Sequence, residues 1–117
     1  MSNLQGQLHQ WLHIRENEHL ECKEAKERFD FEALVKYCCA LANEGGGVML
    51  LGVTDKLPRK IVGTQVFKNL ERTKAGLVER LRLRIDAEEI INEDKRVVAF
   101  HISKLITCKM RFKVLGI

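Results

Sequence analysis

Proline occurs once in 117 residues, at Pro58, and no apolar run approaches the roughly 20 residues that a membrane-crossing helix needs. Residues 1–10 lack the basic patch and apolar core of a secretory signal, so the expected compartment is the cytoplasm. C-x-x-C pairs are missing as well. The four cysteines stand at positions 22, 38, 39 and 108, and adjacent Cys38 and Cys39 diverge by about 100° on a helix, too far to close one metal site. They read as reduced, mostly buried small hydrophobes. His9 and His13 are spaced i, i+4, but the Glu of an H-E-x-x-H motif is absent, which argues against zinc-protease chemistry. The histidines, at 9, 13, 19 and 101, show no ligand spacing with cysteine. The absence of G-x-x-x-x-G-K-[ST] removes a Walker-type ATP loop. With no repeats, linkers or low-complexity segments, the chain holds one domain with a single modest core.

What is present centres on residues 40–55, Ala40-Leu41-Ala42-Asn43-Glu44-Gly45-Gly46-Gly47-Val48-Met49-Leu50-Leu51-Gly52-Val53-Thr54-Asp55. Upstream, Phe31, Leu34, Val35, Cys38, Leu41 and Ala42 have the spacing of one helical face, with Asp30 as N-cap and Glu32 at the positive end of the helix. Residues 48–53 form a continuous apolar run, short enough for a strand buried on both faces. The glycines follow the helix's C-terminus, where unpaired groups are carbonyls, so they read as a tight reversal rather than a phosphate cradle. Asp55 emerges at the far end.

The remaining pattern supplies the other elements. Leu4, Leu8, Trp11 and Leu12 predict a helix over 3–13, with Trp11 as a core anchor. Residues 19–25 read as a strand with Leu20 and Cys22 on one face and Glu21 and Lys23 on the other. After a turn at 56–60, residues 61–66 read as a strand forming a hairpin with 48–53. Asn69 caps a long helix to about residue 85, and residues 88–91 and 96–102 form a second hairpin around Asn92-Glu93-Asp94-Lys95. The order α-β-α-β-β-α-β-β predicts an α+β domain, a mixed sheet with helices mainly on one side.

The ordered set Glu16-Asn17-Glu18-His19-Leu20-Glu21-Cys22-Lys23, then Ala42-Asn43 before the glycines, then Gly52-Val53-Thr54-Asp55, resembles the Schlafen AlbA-like domain family. The likeness runs from about residue 16 to residue 102. Residues 103–117 lack the proline-containing loop and the aromatic-Arg-x-Gly signature with which the family usually continues, so they read as an atypical or truncated end beyond a domain over 1–102. Residues 111–115 nevertheless alternate like a strand.

In some members of this family three carboxylates form a metal-dependent ribonuclease centre. The resemblance places them at Glu16, Glu21 and Asp55, where oxygen ligands would hold Mg²⁺ or Mn²⁺, with Lys23 able to hold a phosphate oxygen. Against this, Glu21 and Lys23 equally suit the polar face of an edge strand, and Asp55 a turn.

The formal charge of +4 permits a polyanionic partner without demanding one. The resemblance implies a nucleic-acid-binding domain, for DNA or RNA, as the N-terminal module of a larger regulatory protein. It would contact phosphates through Lys23, Arg72, Arg80, Arg84, Lys95 and Arg96 and need no cofactor for binding. The alternative is a divalent-metal endoribonuclease acting on structured RNA such as tRNA. A scaffold role, in which the basic residues only solvate the surface, and a homodimer are left open by the sequence.

Overall fold

A computed structural model describes residues 2–15 and 17–104 of the protein. Glu16, Cys108 and the expected strand over 111–115 lie outside these residues. The described elements are α1 (Ser2–His13), β1 (Leu20–Lys23), α2 (Phe31–Asn43), β2 (Gly47–Leu51), α3 (Leu70–Leu81), β3 (Ile85–Asn92) and β4 (Lys95–Ile102).

Local chemistry sets most of the boundaries. Asp30 caps α2, its carboxylate accepting from the Ala33 amide at 3.2 Å, and Asn69 caps α3 by accepting from the Arg72 amide at 3.1 Å. The end of α2 is a Schellman motif: Gly46 N–H donates to Leu41 O at 2.8 Å and Gly45 N–H to Ala42 O at 3.2 Å. Gly45 and Gly46 hold φ of +102° and +98°, which makes the reversal expected of the glycines. Glu93 and Asp94, with φ of +50° and +67°, form the two-residue turn between β3 and β4.

The sheet runs in the order β1-β2-β4-β3, with β1 and β2 parallel and the other pairs antiparallel. The architecture is α+β around a mixed sheet. On one face α2 and α3 pack Leu34, Cys38, Leu41, Leu77 and Leu81 onto Met49, Leu51, Val98, Phe100 and Ile102. On the other face α1 sets Leu8 and Trp11 against Leu20, Cys22, Leu50, Val97 and Ala99. The alternation of β4 therefore serves two cores, with the larger side chains facing the helix pair.

Several expected boundaries differ, β3 among them, since it begins at Ile85 rather than at residue 88. The segment 61–66 is not a strand; it touches β2's continuation only through the Val53↔Ile61 bridge. Both edges of β2 are already taken, by β1 and by β4, so no slot remains for a hairpin partner. Gly52 and Gly63 also sit at φ of +99° and +85°, away from extended backbone. α3 stops at Leu81 because Arg82 turns left-handed (φ +57°) and Ile85 already pairs with Ile102. β1 is trimmed to Leu20–Lys23, the only residues with a register partner on β2.

The cysteines behave as small hydrophobes. Burial pushes the Cys22 thiol up to about 11 and the Cys38 thiol up to about 12, and it raises half-buried Cys39 as well. In the native protein at neutral pH, iodoacetamide should modify Cys39 before Cys22 or Cys38. Peptide mapping by mass spectrometry checks the order, and preferential labelling of Cys22 would contradict this burial.

Candidate functional site

Register places Lys23, Lys95 and Arg96 at one end of the sheet. Lys23 pairs with Leu51, and Leu51 with Val98, so β1 and β2 finish where β4 begins. The carboxyl end of a parallel pair is where chain connections leave room for ligands in open sheets. Lys23 lies there, Asp55 follows four residues beyond β2, and Lys95 and Arg96 open β4.

Leu20 and Cys22 face α1, and Glu21 and Lys23 point half-buried to the α2 side, as the alternation predicts. The Lys23 ammonium stands 5.0 Å from the centroid of the Tyr37 ring on α2 and 3.6 Å from the Glu21 carboxylate. Its pKa is raised above the usual lysine value, chiefly by hydrogen bonding with Tyr37; partial burial opposes this, and the charges of Tyr37, Glu21 and Asp55 add to it. The ammonium is thus held protonated within the field of both carboxylates.

The structure brings Glu21, Lys23 and Asp55 into one electrostatic neighbourhood, while Glu16 lies outside the described residues. Asp55 is exposed, in the loop after β2. Hard carboxylate oxygens suit Mg²⁺ or Mn²⁺. Yet among the described residues no three His, Cys, Asp or Glu side chains are grouped to hold a metal, and Lys23 already lies against Glu21. The described residues do not by themselves form a metal centre.

The six cations expected to contact nucleic acid separate into different jobs. Arg96, only 11 % exposed at its side chain, donates to Thr64 O (3.2 Å), Val66 O (2.7 Å) and Phe67 O (3.0 Å) and pairs with Glu89. Its fork holds the loop before α3. Arg80 makes a bidentate pair with Glu32 of α2 at 2.8 and 2.9 Å, and this hydrogen bonding lowers the Glu32 pKa. Arg72, Arg84 and Lys95 are exposed. Arg84 precedes Ile85, which pairs with Ile102, so it stands at the opposite end of the eight-residue strands, roughly 25 Å from Lys95.

Lys26 was not singled out by the sequence, where it is one charge among several in the connection 24–29. Its carbonyl accepts from the Gln65 amide at 2.7 Å. That contact places Lys26 on the wall of a cleft of about 270 Å³, shared with Gly63, Gln65, Asp94, Lys95 and Arg96. Arg59 also escaped notice. It is 5 % exposed and donates from Nη1 to Trp11 O at 3.2 Å and to Ile14 O, so it caps the end of α1. A buried arginine in a turn of exposed residues has no sequence signal.

These features define an α+β module with a mixed-charge site beyond the carboxyl ends of a parallel strand pair. Residues 16–113 match the family described as Schlafen, AlbA_2, and the chain belongs to that family. A comparison with curated proteins finds no match. Among solved structures, the protein resembles the N-terminal domain of a RecG-related protein from Nitrosomonas europaea, with a TM-score of 0.64 and 20% identity over 92% of this chain and 75% of that one. It also resembles the DIP2311 protein from Corynebacterium diphtheriae, with a TM-score of 0.60 and 20% identity. That match covers 89% of this chain but only 26% of the DIP2311 chain. At this identity the likenesses establish the fold.

Proposed function

We propose that this protein is a nucleic-acid-binding module that grips backbone phosphates at the carboxyl end of β1 and β2, as one part of a larger regulatory protein. The observation that carries the reading is the convergence of Lys23 and Lys26, from the end of β1, with Lys95, from the start of β4, around a cleft that Lys26 and Lys95 line. Phosphate contacts need cations and donors rather than base-reading geometry, which suits the exposed Lys26 and Lys95 with half-buried Lys23 beside them. Membership of the Schlafen AlbA_2 family and likeness to a domain of a RecG-related protein support the same partner class. Arg80 and Arg96 act on this reading as scaffolding, and Arg84 lies away from the interface.

Binding to tRNA and to duplex DNA should be measured across about 50 to 200 mM salt, with and without Mn²⁺. Affinity should fall steeply with salt, and the double substitution Lys26→Ala with Lys95→Ala should weaken binding and reduce the log–log salt slope by roughly one unit per lost contact. Arg84→Ala should leave both nearly unchanged. Undetectable binding to either polymer at low salt rejects the reading. Cleavage of tRNA that needs Mn²⁺ and disappears in Glu21→Gln would replace it with the metal-dependent endoribonuclease reading. Binding that persists in Glu21→Gln and Asp55→Asn without cleavage favours the module as proposed.

A further inference from the structure

The sequence sets His9 and His13 one helical turn apart, and the fold leaves both exposed on the outer side of α1 while Leu8 and Trp11 face the sheet. Their ring centroids are 4.7 Å apart with planes tilted by 48°, so the rings converge rather than stack flat. His13 Nδ1 lies 2.9 Å from His9 O. A carbonyl oxygen only accepts, so Nδ1 carries the proton in this contact and the neutral ring presents its lone pair at Nε2. A backbone carbonyl holding one ring nitrogen while the other is offered outward is the arrangement that orients metal-binding histidines. The two rings, with Gln10 and Ile14, line an open cavity of about 420 Å³ on the helix surface.

We propose that His9 and His13 form a two-point clamp for a divalent transition-metal ion of the Zn²⁺, Ni²⁺ or Cu²⁺ class. Imidazole nitrogens prefer these ions to Mg²⁺, Mn²⁺ or Ca²⁺, which take oxygen donors. Metal–nitrogen bonds of about 2.0–2.1 Å need the two donor nitrogens only a few ångströms apart, within reach of rings this close. Among the described residues no further His, Cys, Asp or Glu joins the pair to make a group of three. The ion therefore keeps positions for water or for a donor from a bound molecule, an open site rather than a closed structural one. The clamp bridges the last turn of α1, so occupancy stabilises that turn through linkage. It is independent of the carboxylates and lysines of the sheet end and of their proposed function.

The test is titration of the full chain with Zn²⁺, Ni²⁺ or Mg²⁺ alone, followed by calorimetry and thermal unfolding. One Zn²⁺ or Ni²⁺ ion should bind per chain and raise Tm, and Mg²⁺ should do neither at the same concentration. His9→Ala and His13→Ala should each weaken Zn²⁺ binding by roughly tenfold or more while preserving the circular dichroism spectrum, because both side chains are exposed. Substoichiometric Cu²⁺ should broaden the His9 and His13 ring resonances before those of His19 and His101. Zn²⁺ affinity unchanged in the double alanine variant, no binding up to millimolar Zn²⁺, or earlier broadening at His19 or His101 would each overturn the clamp.

Discussion

Alanine at Gly47 is expected to remove a large part of this protein's stability, and alanine at Gly45 much less, although the two glycines stand two residues apart. A β-carbon on Gly47 would lie 2.4 Å from His19 O, 2.8 Å from its carbonyl carbon and 2.9 Å from its Cα. All three atoms are backbone, so no side chain can rotate away. The same carbonyl accepts from the Val48 amide at 3.0 Å, the contact that starts the parallel pairing of β1 and β2. The strands must separate to admit the methyl, with an expected loss of about 3 kcal/mol or more, against a total of roughly 5–15 kcal/mol for a domain of this kind.

Gly45 needs glycine for a different reason. Its φ of +102° strains any L-residue, but the nearest atom to an added β-carbon is His19 Cε1 at 3.5 Å, at the end of a side chain. That strain corresponds to about 1–2 kcal/mol. Urea midpoints at constant m-value separate the two variants. Equal losses would mean that close approach of β1 and β2 is not what requires Gly47.

Arg96→Lys should destabilise the protein by about 2–3 kcal/mol, since a planar fork serves three carbonyls where an ammonium cannot take the same geometry. The three acceptors, Thr64 O, Val66 O and Phe67 O, lie on the loop between β2 and α3. Thr64 N–H also donates to Arg96 O at 2.9 Å, and Thr64 Oγ1 donates to Ala25 O, so residue 64 is tied to two different parts of the chain. Losing the fork should loosen residues 62–67 before the rest of the sheet. Hydrogen exchange reads this directly: amides 62–67 should exchange faster in Arg96→Lys while those of β2 and β4 keep their protection. A variant within about 0.5 kcal/mol of the parent, with unchanged exchange in that loop, would show that the guanidinium is only a surface cation.

This assignment of Arg96 also explains why its charge was readable and its role was not. Arg96 and Lys95 are neighbours in the same basic stretch, and nothing in their composition separates a phosphate contact from a loop staple. The difference arises because the Arg96 side chain is largely buried on three loop carbonyls, whereas Lys95 stays exposed and reaches the same loop only through Ile61 O at 3.5 Å, a distinction that only the assembled sheet and loop fix. Arg80 is similar, since its partner Glu32 is 48 residues away on another helix. The segment 61–66 misled in a different way. Its apolar residues suit a strand, but a strand requires a free edge, and edge occupancy belongs to the assembled sheet.

The sequence by itself determined the locally encoded parts: Asp30 and Asn69 as caps, the glycine reversal after α2, the two-faced alternation of β1 and β4, and the turn at 93–94. Each rests on groups within a few residues of one another, where propensity and spacing act directly. The ordered motifs also carried the Schlafen resemblance, which the family match over 16–113 bears out. Only the tertiary structure decided which cations remain exposed at the sheet end, which are engaged in the fold, that Lys26 joins Lys95 across a cleft, and that Arg59 is buried against α1. Those outcomes depend on contacts between residues far apart in the chain, 48 positions for Arg59 and Trp11. A charge has the same identity wherever it lies in the chain, but its work is set by the partners that folding brings to it.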